Sequence, residues 1–236
     1  MAHGKKYLEA AKAIDPDKVY SPEEALSLAK KSSYTKFDGS VELHLTMGAD
    51  PKQADQQVRG VAQLPHGLGK QVRVLAFVQG EAARLAQEAG ADFIGDEDTI
   101  KKIEGGWTDF EVAVATPDMM GKVGRLGKVL GRKGLMPNPR AGTVVPPTEL
   151  GRAIAEAKKG RVEFRLDKTG IIHTVIGKAS FDEKKLGENL TSVMEAINAA
   201  RPTGIKGHYI KAASVNAVMA PGVSVDVAAL GALKVR

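Results

Sequence analysis

Residues 121–140, GKVGRLGKVLGRKGLMPNPR, combine five glycines and six basic residues with no acid. This composition exposes backbone amides beside cations, the two kinds of group that hold phosphate oxygens. A nucleotide cradle is the first chemistry to test, and it fails. The chain contains neither G-x-x-x-x-G-K-[ST] nor G-x-G-x-x-G, so a Walker loop and a dinucleotide fingerprint are both missing. The glycines at 121, 124, 127, 131 and 134 are spaced three or four apart, which would put them along one helix face. Each costs roughly 0.5–1 kcal/mol in a helix interior relative to alanine. A short helix from Pro117 and then an exposed loop through Leu135-Met136-Pro137-Asn138-Pro139 is therefore expected, not a long regular helix. Lys122, Arg125, Lys128, Arg132 and Lys133 then suit phosphate contacts, or else form a solvated basic loop.

Catalytic and metal chemistry find less support. The histidines, at 3, 44, 66, 173 and 208, include no i, i+4 pair. His44 and His173 fall in two expected strands and could meet in space. With no carboxylate partner in view, they are read as satisfied strand histidines and not as metal ligands. There is no G-x-S-x-G, and the Ser, His and Asp residues are too dispersed to assign a triad. Zero cysteines exclude disulfides and thiolate metal sites and fit a reducing cytosol. No catalytic residue, metal or cofactor is assigned.

A polar strand face offers a binding surface instead. Lys36-Phe37-Asp38 immediately precedes a strand carrying Glu42, Arg161, Glu163 and Arg165 share one face of another, and Lys168 caps the turn that follows. Cations, carboxylates and one exposed aromatic suit RNA, which is read through shape, 2′-hydroxyls and stacked bases. On these residues alone an ordinary solvated sheet face fits equally well.

The elements that must position these groups follow from the chain's 236 residues, 43% hydrophobic, with a net charge of +6 and a pI near 9.4. No run approaches the eighteen or so apolar residues of a membrane span, and no signal peptide is visible. SPEEALSLAKKS, residues 21–32, has an N-cap Ser21, Pro22 at the first helical position and Glu24 to complete a capping box. VELHLTM, 41–47, alternates apolar and polar residues as a half-buried strand does. From about residue 67 the style changes. Strands at 71–78, 92–95, 110–116 and 142–145 alternate with helices at 80–90, 96–106 and 148–160, the pattern of a parallel, doubly wound sheet. After Gly160 it reverts: 161–166 and 171–177 read as a β-hairpin around Asp167-Lys168-Thr169-Gly170. A helix then runs from the Ser180–Glu183 capping box to about Ala200, and strands follow at 207–219 and 223–228. The expected layout is one α+β domain built from both termini, 1–66 with 160–236, carrying an inserted Rossmann-like three-layer α/β domain over 67–159. Two Gly-containing linkers between them suggest a hinge.

The stretches TKFDGSVELHL (35–45), DQQVRGVAQLPHGLGKQVRVLAF (55–77), GRKGLMPNPRAGTV (131–144), FRLDKTGIIHTVIGKASF (164–181) and VMAPG (218–222) carry a family resemblance over nearly the whole chain. The chain resembles the bacterial large-subunit ribosomal proteins of the mobile side stalk, those conventionally numbered first in that subunit. The resemblance implies a split α+β domain with a Rossmann-like insertion. It also implies binding to large-subunit ribosomal RNA at the stalk, assistance to the movement and release of deacylated tRNA from the exit site, and repression of its own operon through a leader mRNA. It further implies other ribosomal components as partners, a cytoplasmic location on the ribosome, and a monomer off it. Matched motif by motif, the resemblance implies RNA binding by Lys36, Phe37, Ser40, Glu42, Arg165, Asp167, Lys168, Thr169, Val218, Met219 and Ala220. Lys128, Arg132, Lys133 and Arg140 belong to a secondary RNA-facing loop.

Three positions depart from the family pattern. Val218-Met219-Ala220 stands for the usual Thr-Met-Gly, Leu166 for the Asn before Asp167, and Gly131-Arg132-Lys133-Gly134 for Gly-Pro-Arg-Gly. The first loses a hydroxyl donor and the third adds a cation. The segment after Val227 matches nothing specific and is read as disordered. Two other functions fit the residues less well: a Rossmann-like enzyme or small-ligand binder using 121–140 as its phosphate loop, and a generic basic RNA chaperone.

Overall fold

The computed structural model describes residues 4–205 and 207–233. In chain order it holds α1 (Lys5–Ala11), α2 (Pro22–Lys31), β1 (Ser40–Met47), β2 (Arg59–Gln63), β3 (Val74–Phe77), α3 (Glu81–Glu88), β4 (Phe93–Ile94), α4 (Glu97–Glu104), β5 (Val112–Ala115), α5 (Met120–Val123) and α6 (Gly127–Lys133). There follow α7 (Leu150–Gly160), β6 (Arg161–Arg165), β7 (Ile171–Lys178), α8 (Glu183–Ala199), β8 (Ile210–Ala217), β9 (Val223–Val225) and α9 (Val227–Gly231). The chain divides into two compact units, Met1–Gly69 with Val162–Arg236, and Lys70–Arg161.

In the first unit β1 turns Val41, Leu43, Leu45 and Met47 into the core and leaves Ser40, Glu42, His44 and Thr46 on the other face. Its period-two sequence permits no other arrangement once one face is buried. β1 runs antiparallel to both neighbours in a sheet of order β7-β1-β8-β9. α2 and α8 supply the other side of the core, with Leu26 of one and Leu186, Leu190, Val193, Met194 and Ile197 of the other. α2 begins as expected: Ser21 and Glu24 exchange their capping-box bonds and Pro22 opens the helix.

Several expectations for this unit are corrected. Residues 161–166 and 171–177 do not form a hairpin: β6 pairs with β2, and only a Leu166–Ile172 bridge joins it to β7. Asp167 Oδ1 accepts from the amides of Thr169 and Ile171, both at 2.8 Å, and this tight turn sends the chain from one sheet to the other. The Ser180 capping box is not formed either. The Ser180 amide and hydroxyl donate to the Asp38 carboxylate at 3.0 and 2.8 Å, and Asp182 takes the N-cap position. The segment after Val227 is helical to Gly231, capped by Asp226 and anchored by the buried Leu230; residues 234–236 lie outside the described part.

The second unit holds a three-stranded parallel sheet of order β4-β3-β5. β3 sends Val74 and Ala76 to one side, where they pack with Ala86, Leu150, Ile154 and Ala157. Leu75 and Phe77 go to the other side, with Ile103, Met119, Val123, Leu126 and Leu130. Helices on both faces give the three-layer α/β arrangement. Residues 142–145 form no strand; Val144 makes a single parallel bridge to Ala115. The glycine-rich stretch stays helical longer than expected, from Pro117 to Lys133 in alternating 3-10 and α turns, and Gly134 closes it at φ 71°. Burial of Met119, Val123, Leu126 and Leu130 accounts for this, since each buried apolar side chain contributes about 1.5–3 kcal/mol against about 0.5–1 lost per glycine.

Candidate nucleic-acid interface

The segment entering β1 and the turn leaving β8 meet at one end of the four-stranded sheet. The amide of Val218 donates to the Ser40 carbonyl at 2.9 Å, and the Tyr34 hydroxyl donates to the Met219 carbonyl at 2.6 Å. Lys178 Nζ, from β7, donates to the Asp38 carbonyl at 3.3 Å and to Ser40 Oγ at 3.1 Å. These bonds fix the backbone around Lys36 and Phe37. They leave Phe37 58% and Met219 66% exposed, unusual for large apolar side chains. Met219 sits at φ 66°, the one non-glycine residue with positive φ among those described, a conformation costing on the order of 1–3 kcal/mol. Ala220 is buried, so it presents no side chain to a partner.

The Asp167–Thr169 turn lies at the other end of β1, where the Met47 amide donates to the Gly170 carbonyl and Thr46 faces Ile171. Thr46 lies six positions beyond Ser40, about 20 Å along the strand. The expected binding residues thus form two patches and not one. Asp167 is consumed within its turn: besides the two amides, its Oδ2 accepts from Thr169 Oγ1 at 2.6 Å. The Thr169 hydroxyl bond, then the Ile171 amide, hold its carboxyl at about 2, against the opposing effect of burial. Its work is to shape the turn that presents the exposed Lys168. Arg165 is exposed on β6, in the two-stranded sheet, where Glu163 is engaged by Arg59 Nε at 2.7 Å.

Between the two patches stand His44 and His173, directly opposite one another on β1 and β7. Their Nδ1 atoms lie 2.7 Å apart, and His44 Nε2 lies 2.7 Å from Asn216 Oδ1 of β8. Contrary to expectation, each histidine has a carboxylate nearby: Glu42 at 3.7 Å from His44 Nε2 and Asp167 at 3.6 Å from His173 Nε2. Among the described residues no group of three or more His, Cys, Asp or Glu could hold a metal.

In the second unit Lys128 and Arg132 are exposed and make no ion pair among the described residues, whereas Lys133 Nζ donates to Thr108 Oγ1 and Lys122 pairs with Glu97 at 3.3 Å. The side chain of Arg140 lies outside the described part. A Cβ placed on Gly121, Gly124, Gly127 or Gly131 would meet nothing within 4 Å, so packing does not require these glycines.

Tyr34, Lys178 and Ser180 were not visible as site residues in the sequence. Their partners lie 138 to 185 residues away, and local spacing carries no trace of such contacts.

Residues 29–221 fit the sequence model of the Ribosomal protein L1p/L10e family, and the chain belongs to that family. It is 59% identical over 233 residues to "Large ribosomal subunit protein uL1" of Dehalococcoides mccartyi, covering 99% of this chain and 98% of that one. Proteins of the same name from Chloroflexus aggregans and Chloroflexus aurantiacus are 55% identical over 233 residues, with 98% of both chains covered.

Proposed function

We propose that this chain is a structural, non-enzymatic protein of the large ribosomal subunit that binds ribosomal RNA of the side stalk, in the cytoplasm. The observation that carries this reading is the pair of patches at the two ends of β1. One offers Lys36, the exposed Phe37 and Met219, and the other Lys168. Cations reach phosphates, the aromatic offers a stacking surface, and the exposed backbone of the Met219 turn can meet 2′-hydroxyls. The second unit adds Lys128 and Arg132 as sequence-independent phosphate contacts. From the stalk the protein assists movement and release of deacylated tRNA at the exit site. The same surface binds the leader mRNA of its own operon, so ribosomal RNA and leader mRNA compete for it.

The test is a titration against a folded stalk fragment of large-subunit ribosomal RNA, with excess tRNA competitor, at several salt concentrations. Binding that survives competitor is expected. Lys168→Ala and Phe37→Ala should weaken it without equal loss on unrelated RNA. Arg132→Ala with Lys133→Ala should reduce the salt slope by about one to two. Binding abolished equally by tRNA would leave only a generic basic protein.

A further inference from the structure

Between Glu195 and Asp226 the chain carries no acidic residue, and Arg201, Lys206, His208 and Lys211 fall in that interval. Lys211 lies on β8 at a fault in the strand pairing. Thr46 of β1 pairs with Ala212 and the next residue, Met47, pairs with Ile210, so Lys211 has no residue opposite it on β1. One extra residue on one strand is a β-bulge, which bends the strand and re-aims its side chains. The burial of β8 records the effect. Ala213, Val215 and Ala217 are buried in alternation, which would make Lys211 the next inward residue. Instead Lys211 and Ala212 are both exposed. Gly48 lets the bulged strand close on β1: its amide donates to the Tyr209 carbonyl at 2.7 Å, and a Cβ there would lie 2.1 Å from the His208 carbonyl oxygen.

We propose that this bulge turns Lys211 onto the polar face and makes it a phosphate contact of the Lys168 patch. The proposal rests on the RNA reading above and adds a residue that lies outside every stretch carrying the family resemblance.

The placement follows from the two neighbours of β1. On one side Thr46 pairs with Ile171, and the Met47 amide donates at 2.9 Å to Gly170, the end of the turn that presents Lys168. On the other side the same two residues of β1 frame Lys211. β7 and β8 are separated by β1 alone, so their axes lie about 10 Å apart. Two lysines thus flank the exposed Thr46, one from each neighbouring strand.

Neither lysine is neutralised. Both are exposed and make no hydrogen bond or ion pair among the described residues. The carboxylates close to them are engaged by backbone: Asp167 holds the amides of its own turn, and Asp226, which follows the Ala213–Val225 pair, accepts from the Ala228 amide at 2.9 Å. An ammonium carries three donors and no acceptor. Two of them beside a hydroxyl-bearing strand residue make a site for the oxygens of an RNA backbone.

The experiment measures Kd of the full chain for the folded stalk fragment at several salt concentrations, with excess tRNA competitor, beside Lys211→Ala and Lys211→Arg. Loss of one phosphate contact should reduce the salt slope by about 0.7–0.9 and weaken binding about four- to sixfold near 0.15 M salt. Lys211→Ala should show both changes, and Lys211→Arg should show neither. In parallel, the lysines are acetylated and located by mass spectrometry. Lys211 should react in the free protein and be protected by the stalk fragment. An unchanged slope in Lys211→Ala, with or without a weaker Kd, overturns the proposal and leaves the RNA reading standing. So does a Lys211 that reacts equally with and without the fragment. Absence of competitor-resistant binding by the unmodified chain overturns the RNA reading itself, and the Lys211 contact falls with it.

Discussion

Tyr34 holds the backbone of Met219: its hydroxyl donates to the Met219 carbonyl at 2.6 Å, across 185 residues of sequence. That bond secures a left-handed methionine whose side chain stands in solvent. Tyr34→Phe removes only the hydroxyl, and one hydrogen bond of this kind contributes about 0.5–1.5 kcal/mol. Binding to the stalk fragment should weaken about threefold to tenfold, with unrelated RNA unaffected and the melting temperature lowered by only about 1–6 °C. Equal losses on both RNAs would show that Tyr34 serves general stability instead.

Asn189 is fully buried on α8. Its Nδ2 donates to the carbonyls of Ile176 at 2.8 Å and Gly67 at 3.1 Å, and its Oδ1 accepts from the His66 amide at 3.1 Å. One side chain thus fastens the segment around residue 66 to both β7 and α8. Asn189→Leu leaves three backbone groups without that partner and should cost about 2–4 kcal/mol in urea unfolding. A loss below about 1 kcal/mol would mean that the chain rearranges to satisfy them.

Thr174 shows the opposite case. It is 5% exposed, and its hydroxyl has no hydrogen-bond partner. Thr174→Val keeps the shape and removes the buried hydroxyl, so it should stabilise the protein by about 1 kcal/mol. A lower melting temperature would contradict this account.

Glu111, in the second unit, receives Lys70 at 2.9 Å and Arg73 at 3.1 Å. The Arg73 bond foremost, with Lys70 adding to it and burial opposing, holds its carboxyl at about 2, below the ordinary 4.5. A depressed carboxylate stabilises the folded state fully above its ordinary value, and that contribution is lost as pH falls toward 2. After allowance for solvent screening, Glu111→Gln should cost about 1–2 kcal/mol at pH 7. The gap from the unmodified chain should narrow below pH 4.5 and close near pH 2. A gap independent of pH would point to lost packing.

Local patterns announced local structure. The capping box of α2, the alternation of β1 and the alternating strands and helices around β3 could be read directly, because each depends on residues a few positions apart. What escaped depends on distant partners. β2, with only Ala62 of its five residues buried, has no strong pattern of its own and exists because β6 lies beside it. Ser180 reads as a helix cap until Asp38 claims it. The residues expected to bind RNA could be named one by one from their motifs, but not their division into two patches, which is set by the antiparallel register of β1 with β7 and β8. His44 and His173 illustrate the same limit. Each looks like an ordinary strand histidine, and only the register makes them face each other.

The sheet order β7-β1-β8-β9 also has a consequence for synthesis. β1 is an inner strand, yet both of its neighbours come from beyond the inserted unit. From the end of β1 at Met47 to the start of β7 at Ile171 is 124 residues, a wait of roughly 6–25 s at about 5–20 residues per second. The inserted unit is contiguous and can close during that interval. β1, meanwhile, emerges from the translating ribosome with the apolar face of Val41, Leu43, Leu45 and Met47 unpaired, and that face has to stay out of other contacts until its neighbours arrive.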